Sequence, residues 1–197
     1  MRVISGRFKG VALTTPKAGT RPTTDRTKEA IFSHLDSWGV LDDARVLDLF
    51  AGTGALGIEA LSRGARELVA VESSAPAAAL IAQTLTALKH NRSWEHGMSA
   101  RVVKARAEKY AASASAVEPF DMVFIDPPYA FETNDCNQLL ADLASRELTS
   151  SNTVIMLERS TRSEAPMAPA NWEITDRRDY GETAVYYIEP SEPIAES

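Results

Sequence analysis

From residue 45 to residue 158 the chain alternates short apolar runs with helical segments, and this alternation limits what it can fold into more than any other feature. The runs at 45–50, 67–71, 101–104, 120–125 and 153–158 are short and rich in Val, Ile, Leu and Phe. Such runs read as strands buried on both faces. Residues 58–63, 75–90, 108–114 and 134–146 lie between them with helical spacing. Strand and helix in unbroken series predict an α/β fold with a doubly wound, Rossmann-like sheet. Residues 172–178 and 184–188, placed around Gly181, predict a terminal antiparallel hairpin, which is less usual for dinucleotide folds.

The remaining segments attach to that sheet. Residues 2–13 alternate loosely between Gly6 and Gly10 and predict a short N-terminal β-hairpin arm. A helix is expected from Thr23 or Thr24, with Ala30, Ile31, Phe32, Leu35 and Trp38 inward and Gly39 as its stop. On the helix at 75–90, Leu80, Ile81, Leu85 and Leu88 are expected inward. The 197 residues suit one domain. We divide it into an arm at 1–28, a main body at 29–189 and a frayed tail at 190–197. Cys136 is the only cysteine, so an intrachain disulfide and a cysteine-based zinc site are excluded, and no metal is expected. His34, His90 and His96 stand apart and read as surface or helix-end residues. With no membrane-spanning run and no signal-type N-terminus, a cytoplasmic protein is expected, and we take it as a monomer.

The loop after the first strand, Gly52-Thr53-Gly54-Ala55-Leu56-Gly57, fits G-x-G-x-x-G between a strand and a helix. An acid, Glu72, ends the next strand and is followed by Ser73. Glycines let the backbone approach a ligand, and a strand-end acid can bind ribose hydroxyls, so the loop points to an adenosine cofactor without saying which. Asp48 narrows the choice. A carboxylate four residues before Gly52 repels a pyrophosphate and suits a ligand with a cationic amino-acid end, such as S-adenosylmethionine. The same carboxylate can equally cap the loop. Phe50, Ala51, Thr53, Leu56 and Gly57 complete the candidate cofactor loop.

Asp126-Pro127-Pro128-Tyr129 follows the fourth run. Prolines lack N–H donors and stiffen the chain, so the strand ends in an extended corner presenting a carboxylate, carbonyls and a ring. These groups can grip a flat, amino-bearing ring: Asp126 and the Pro127 carbonyl accept its N–H bonds, and Tyr129 stacks on its face. A plain proline-rich turn is the alternative. Asp48, Gly52, Glu72 and Asp126 all sit at strand C-termini, where ligands bind in open α/β sheets.

Charge is divided unevenly. The chain carries −6 overall, yet residues 1–28 hold Arg2, Arg7, Lys9, Lys17, Arg21, Arg26 and Lys28 against Asp25 alone. That arm is +6 and leaves −12 for the rest. A basic arm on an acidic body can bind phosphates locally, and it can also be a solvated terminus.

Taken together, these stretches resemble the RsmD-like 16S ribosomal RNA guanine-N2-methyltransferases, which have a class I S-adenosylmethionine fold. The resemblance covers about residues 2–188. Arg2-Val3-Ile4-Ser5-Gly6 with Lys9-Gly10, Arg21-Pro22-Thr23-Thr24-Asp25-Arg26, the Asp48 loop, Glu59-Ala60-Leu61-Ser62-Arg63-Gly64-Ala65, the Asp126 corner and Glu158 carry it. It implies methyl transfer from S-adenosylmethionine to the exocyclic amine of one guanine in 16S rRNA, within an assembling small ribosomal subunit. It also implies RNA contacts from Arg2, Arg7, Lys9, Arg21, Thr23 and Arg26. The wider pattern often has an acid or Asn after the third strand to meet adenine. Here Ala105-Arg106-Ala107 stands there, so Arg106 and Ala107 are candidates for a backbone contact. The rivals are an adenine-N6 or protein-glutamine methyltransferase sharing the corner, a nicotinamide-dependent oxidoreductase, and a non-catalytic RNA-binding assembly factor.

Overall fold

The computed structural model describes residues 1–13, 24–116 and 118–192. Among the described residues, five helices and seven strands follow one another as α1 (Asp25–Trp38), β1 (Arg45–Asp48), α2 (Ala55–Ser62), β2 (Glu67–Glu72), α3 (Ala75–Lys89), β3 (Ser99–Lys104), α4 (Ala107–Ser113), β4 (Met122–Ile125), α5 (Thr133–Ser145), β5 (Val154–Ser160), β6 (Trp172–Tyr180) and β7 (Thr183–Pro190). The described strands form one sheet in the order β3-β2-β1-β4-β5-β7-β6. The first five are parallel, and β7 lies antiparallel between β5 and β6. This is the doubly wound sheet with a terminal hairpin that the alternation predicts.

Side-chain alternation divides the core into two layers. Val46, Leu68, Ala70, Met122, Phe124 and Met156 face α1, α2 and α3, whereas Leu47, Val69, Val71, Val123, Ile125, Ile155 and Leu157 face α4 and α5. The central strands β1 and β4 are buried at every position, as parallel strands covered on both faces must be. Helix α1 begins where Thr24 accepts a hydrogen bond from the Thr27 N–H, and it ends at Gly39 in the left-handed conformation. Gly57 allows α2 to lie against β2, because a Cβ there would stand 2.5 Å from Leu68.

Several expectations need correction. The hairpin at residues 2–13 reduces to a single antiparallel bridge, Arg2 with Ala12, closed by turns. Helix α1 starts before residue 28, so the arm and the main body share it. Leu80 and Trp38 are each 39% exposed rather than inward. His34 lies within α1, packed between Trp38 and Tyr187, not at the surface. Strand β7 continues through Pro190, which pairs with Trp172, so the tail begins later than residue 190. Residues 193–197 lie outside the described residues. No described helix is long and apolar enough to cross a membrane, and no described cluster of His, Cys, Asp or Glu could hold a metal ion.

The arm is docked rather than appended. Val3, Phe8 and Leu13 are buried in the α1–α3 layer, and Phe8 stacks on Trp94. The Arg7 N–H donates to the Ser62 carbonyl, and the Phe8 N–H donates to Ser62 Oγ. Gly6 has φ of +90°, and a Cβ on it would strike the Ser62 carbonyl. The fully buried Glu59 carboxylate accepts from the Ile4 and Ser5 N–H groups and pairs with Lys28 and Arg63.

Candidate active site

Strands β1 and β4 are neighbours, but β1 goes on to pair with β2 and β4 with β5. Their C-terminal ends therefore straddle the switch point, where an open α/β sheet forms its crevice. A cleft of about 1300 Å³ lies there. Its walls come from the loops after β1, β2, β3, β4 and β5, from the start of α1 and from the β6–β7 turn.

One wall is the glycine loop. The Leu49 N–H donates to the Phe124 carbonyl and the Ala51 N–H to the Val71 carbonyl, which ties the loop to both neighbouring strands. Gly52 has φ of +57° with open space where a Cβ would stand, and Gly54, at φ +81°, caps α2. Phe50, Ala51, Gly52, Thr53, Leu56, Glu72, Ser73, Arg106 and Ala107 line the cleft. Gly54, Gly57 and Asp48 are not on the lining. They support it from beneath.

Asp48 is 1% exposed. Its Oδ2 accepts from the Gly57 N–H at 3.2 Å, while its Oδ1 has no hydrogen-bond partner among the described residues. Burial, aided by the charges of Asp126 and Glu72, pushes its carboxyl up to about 7 against the Gly57 hydrogen bond. Asp48 thus lies beneath the loop and caps it through the Gly57 N–H, the loop-capping role that the sequence also allowed. Glu72 is likewise raised by burial, although the N–H groups of Ser74, Ser73 and Gly52 oppose the shift. Acids at three strand ends around an open glycine backbone fit a cationic, phosphate-free ligand and disfavour a pyrophosphate.

The opposite wall is the corner. Asp126 is partly buried, and Tyr129 presents a ring that is 63% exposed. The Phe131 N–H donates to the Pro128 carbonyl at 2.9 Å and closes a turn behind the prolines. Arg159 then holds that turn: Nη1 donates to the Phe131 carbonyl at 2.8 Å and Nη2 to Thr133 Oγ1 at 3.3 Å. Phe131 meets Phe50 edge to face at 5.2 Å between centroids, linking the corner to the glycine loop. At the β3 end, Arg106 pairs with Glu108 at 3.1 Å, and both line the cleft beside Ala107 at the start of α4.

Of the expected RNA contacts, Arg26 lines the cleft mouth, and Arg2 and Lys9 are exposed. Arg2 also donates to the Gly10 carbonyl. Arg7 is paired with Glu95 and is mostly covered. Arg21 and Thr23 lie outside the described residues. Lys28, which contributes to the arm's charge, is buried against Glu59 and faces no solvent. In the sequence Glu158 counts only as a carrier of the resemblance, and neither Arg159 nor the β6–β7 turn has a role, yet Glu158, Arg159 and Gly181 line the cleft. For Glu158 a signal was available, because it is an acid directly after the apolar stretch of the fifth run, as Glu72 is after the second.

Comparison with known proteins places this geometry among relatives. The family described as conserved hypothetical protein 95 matches residues 1–189. The chain is 33% identical over 185 residues to the ribosomal RNA small subunit methyltransferase D of Escherichia coli, covering 93% of this chain and 87% of that one. It is 34% identical over 187 residues to the putative rRNA methyltransferase YlbH of Bacillus subtilis, covering 94% and 96%. The solved structure of the putative methyltransferase yhhF from Escherichia coli superposes with a TM-score of 0.81 at 32% identity, covering 97% of this chain and 98% of that one.

Proposed function

The chain belongs to the conserved hypothetical protein 95 family, the RsmD-like rRNA methyltransferases, and from that premise we propose that it methylates the exocyclic N2 amine of a guanine in 16S rRNA of the small ribosomal subunit. The observation that carries this reading is the meeting of two walls in one cleft: an acid-backed glycine loop on one side and the Asp126 corner on the other. S-adenosylmethionine, when bound, supplies an electrophilic methyl group on a sulfonium and has no phosphate to be repelled. Phe50, Ala51, Gly52, Thr53 and Leu56 would cradle it, Glu72 and Ser73 would meet its ribose, and Arg106 and Ala107 would border its adenine. Asp48, with Gly54 and Gly57, holds the loop in shape.

A nucleobase amine is a poor nucleophile because its lone pair is conjugated into the ring. Asp126 and the Pro127 carbonyl accept its two N–H bonds and so direct the lone pair across the cleft. The Asp126 charge stabilises the positive charge that grows on nitrogen, and the surplus proton leaves along that hydrogen bond to solvent. Tyr129 stacks on the base and fixes its plane, while Pro128 stiffens the corner. A base paired in a helix must leave its stack to enter.

The test is labelled methyl transfer from S-adenosylmethionine to small-subunit particles, followed by mass mapping. Label is expected on a guanine N2. Label on adenine, protein or DNA would refute the proposal. RNA affinity should also depend on the exposed cations of the arm. Replacing Lys9 and Arg26 by Ala should reduce the slope of log affinity against log salt by about one unit per lost phosphate contact. Arg7→Ala should change it less, because Arg7 is already paired with Glu95. An unchanged slope in the Lys9 and Arg26 variant would remove the arm from the RNA interface.

Asp48 should make cofactor binding pH-dependent. Its carboxyl titrates at about 7, so it is largely protonated at pH 6 and ionised at pH 8. S-adenosylmethionine affinity, followed by calorimetry, should fall as the pH drops below 7, and Asp48→Asn should flatten that fall. The ligand's own ammonium titrates equally against both proteins, so the difference isolates Asp48. Stability follows the opposite sense. A carboxyl raised from 3.8 to about 7 by folding destabilises the fold increasingly as pH rises through that window. After the cost of an unpaired amide donor, Asp48→Asn should therefore stabilise the cofactor-free protein at pH 8 by about 1–3 kcal/mol.

A further inference from the structure

Asp126 has a neighbour on the rim that the reaction described above does not use. Strands β4 and β5 pair in parallel with Ile125 opposite Leu157, so the residues that follow, Asp126 just past the end of β4 and Glu158 within β5, stand at the same level on adjacent strands. Adjacent strands are about 4.8 Å apart. Ile125 and Leu157 both face the α4–α5 layer, so Glu158 turns to the other face, and both acids line the cleft. Glu158 is only 8% exposed. A carboxylate held there meets its partners with little competition from water, so the identity of the partner matters. Glu158 has contacts within the protein, and a carboxylate can accept several hydrogen bonds at once, about four by its lone pairs.

Guanine presents two donors side by side on its Watson–Crick edge, the N2 amine and the N1–H. Two carboxylates at one level on adjacent strands match that pair. We infer that Glu158 is the specificity-determining residue of the cleft, its carboxylate accepting the guanine N1–H while Asp126 holds the N2 amine. The inference rests on the guanine reading above and deepens it, since the Asp126 corner by itself grips any ring amine. A purine whose N1 is an acceptor would set a lone pair against a nearly buried carboxylate. Sites built to hydrogen-bond a substrate N–H reject analogues lacking it, because the site's polar group is left unpaired. The next residue, Arg159, points to the opposite face and braces the corner through Phe131 and Thr133, so two consecutive residues divide recognition from support.

The probe is 2-aminopurine, which keeps the 2-amine and replaces the N1–H by a bare acceptor nitrogen. Small-subunit particles are reconstituted with guanine or 2-aminopurine at the position mapped as the methyl acceptor, and labelled transfer is timed on both. The wild-type protein should prefer guanine by about 100-fold. In Glu158→Gln the side-chain amide can accept from N1–H or donate to a bare N1, so the preference should fall to about tenfold or less. Glu158→Ala should lower it as well. A ratio between two substrates is independent of the fraction of enzyme that is folded. Variants that keep the wild-type ratio, or a wild-type protein that does not discriminate, would overturn this inference alone. Wild-type label on an adenine amine would overturn both this inference and the guanine reading.

Discussion

Replacing Asp126 by Ala is expected to slow methyl transfer about 1000-fold while S-adenosylmethionine binding stays within a few-fold of wild type. The two effects separate because the two walls of the cleft are built from different elements. The glycine loop is tied to β2 and β4 through the Ala51 and Leu49 N–H groups, none of which involves the Asp126 side chain. The corner keeps its shape through Arg159 and the Phe131 turn, so removal of the carboxylate leaves the prolines and Tyr129 in place. What is lost is the negative charge against an amine that becomes positive as its bond to carbon forms. Loss of one preorganised group of this kind typically costs 100- to 1000-fold, and the acceptor that orients the lone pair goes with it. Asp126→Asn should fall between Ala and wild type, since its oxygen still accepts but its charge is gone. Single-turnover transfer at saturating cofactor, with calorimetry alongside, measures both quantities. If Asp126→Ala keeps its rate, the corner is structural and the assembly-factor reading returns.

The sheet was legible because its parallel strands are short apolar runs that periodicity cannot miss. The cleft's floor was legible for the same reason: Gly52, Glu72 and Asp126 follow such runs, Asp48 ends the first strand, and strand ends gather on one rim. What stayed hidden depends on packing between distant segments. Leu80 has the spacing of a core residue, yet it borders the cleft because α3 runs past the cleft wall. Lys28 reads as one more cation of a basic arm, and only the fold shows that it is spent on Glu59. Asp48 reads as a ligand-facing acid by position, whereas the curl of the loop over it leaves the residue 1% exposed. The β6–β7 turn closes the cleft from nearly the far end of the chain, and its residues carry no motif of their own.

The second large effect should come from a residue that touches neither cofactor nor RNA. Glu59→Gln is expected to destabilise the protein by about 3–5 kcal/mol, a drop on the order of 10 °C in Tm. Glu59 is wholly buried and gathers four groups from three places: the Ile4 and Ser5 N–H groups at 2.8 and 3.1 Å, Lys28 Nζ of α1 at 3.1 Å and Arg63 Nε at 3.0 Å. Arg63 in turn holds Glu29 and Asp36 and lies over the Phe32 ring, so α1 is fastened to α2 along most of its length. Removing the Glu59 charge strands the Lys28 ammonium, whose side chain is only 2% exposed and which, among the described residues, also donates to the Arg2 carbonyl at 3.3 Å. A buried charge without its partner is costly, whereas replacing both partners by neutral groups often is not. The double variant Glu59→Gln with Lys28→Met should therefore recover at least half of the loss. If the two changes simply add, the Glu59 effect is packing and not an unpaired charge. The same clamp sets Arg26 and Met1 at the cleft mouth, because α1 and the arm reach it only while docked on α2. Glu59→Gln should then also weaken RNA binding in protein that remains folded. On this account the run Glu59-Ala60-Leu61-Ser62-Arg63-Gly64 acts as a dock: Glu59 and Ser62 seize the arm, Arg63 seizes α1, and the basic face comes to the cleft as their consequence.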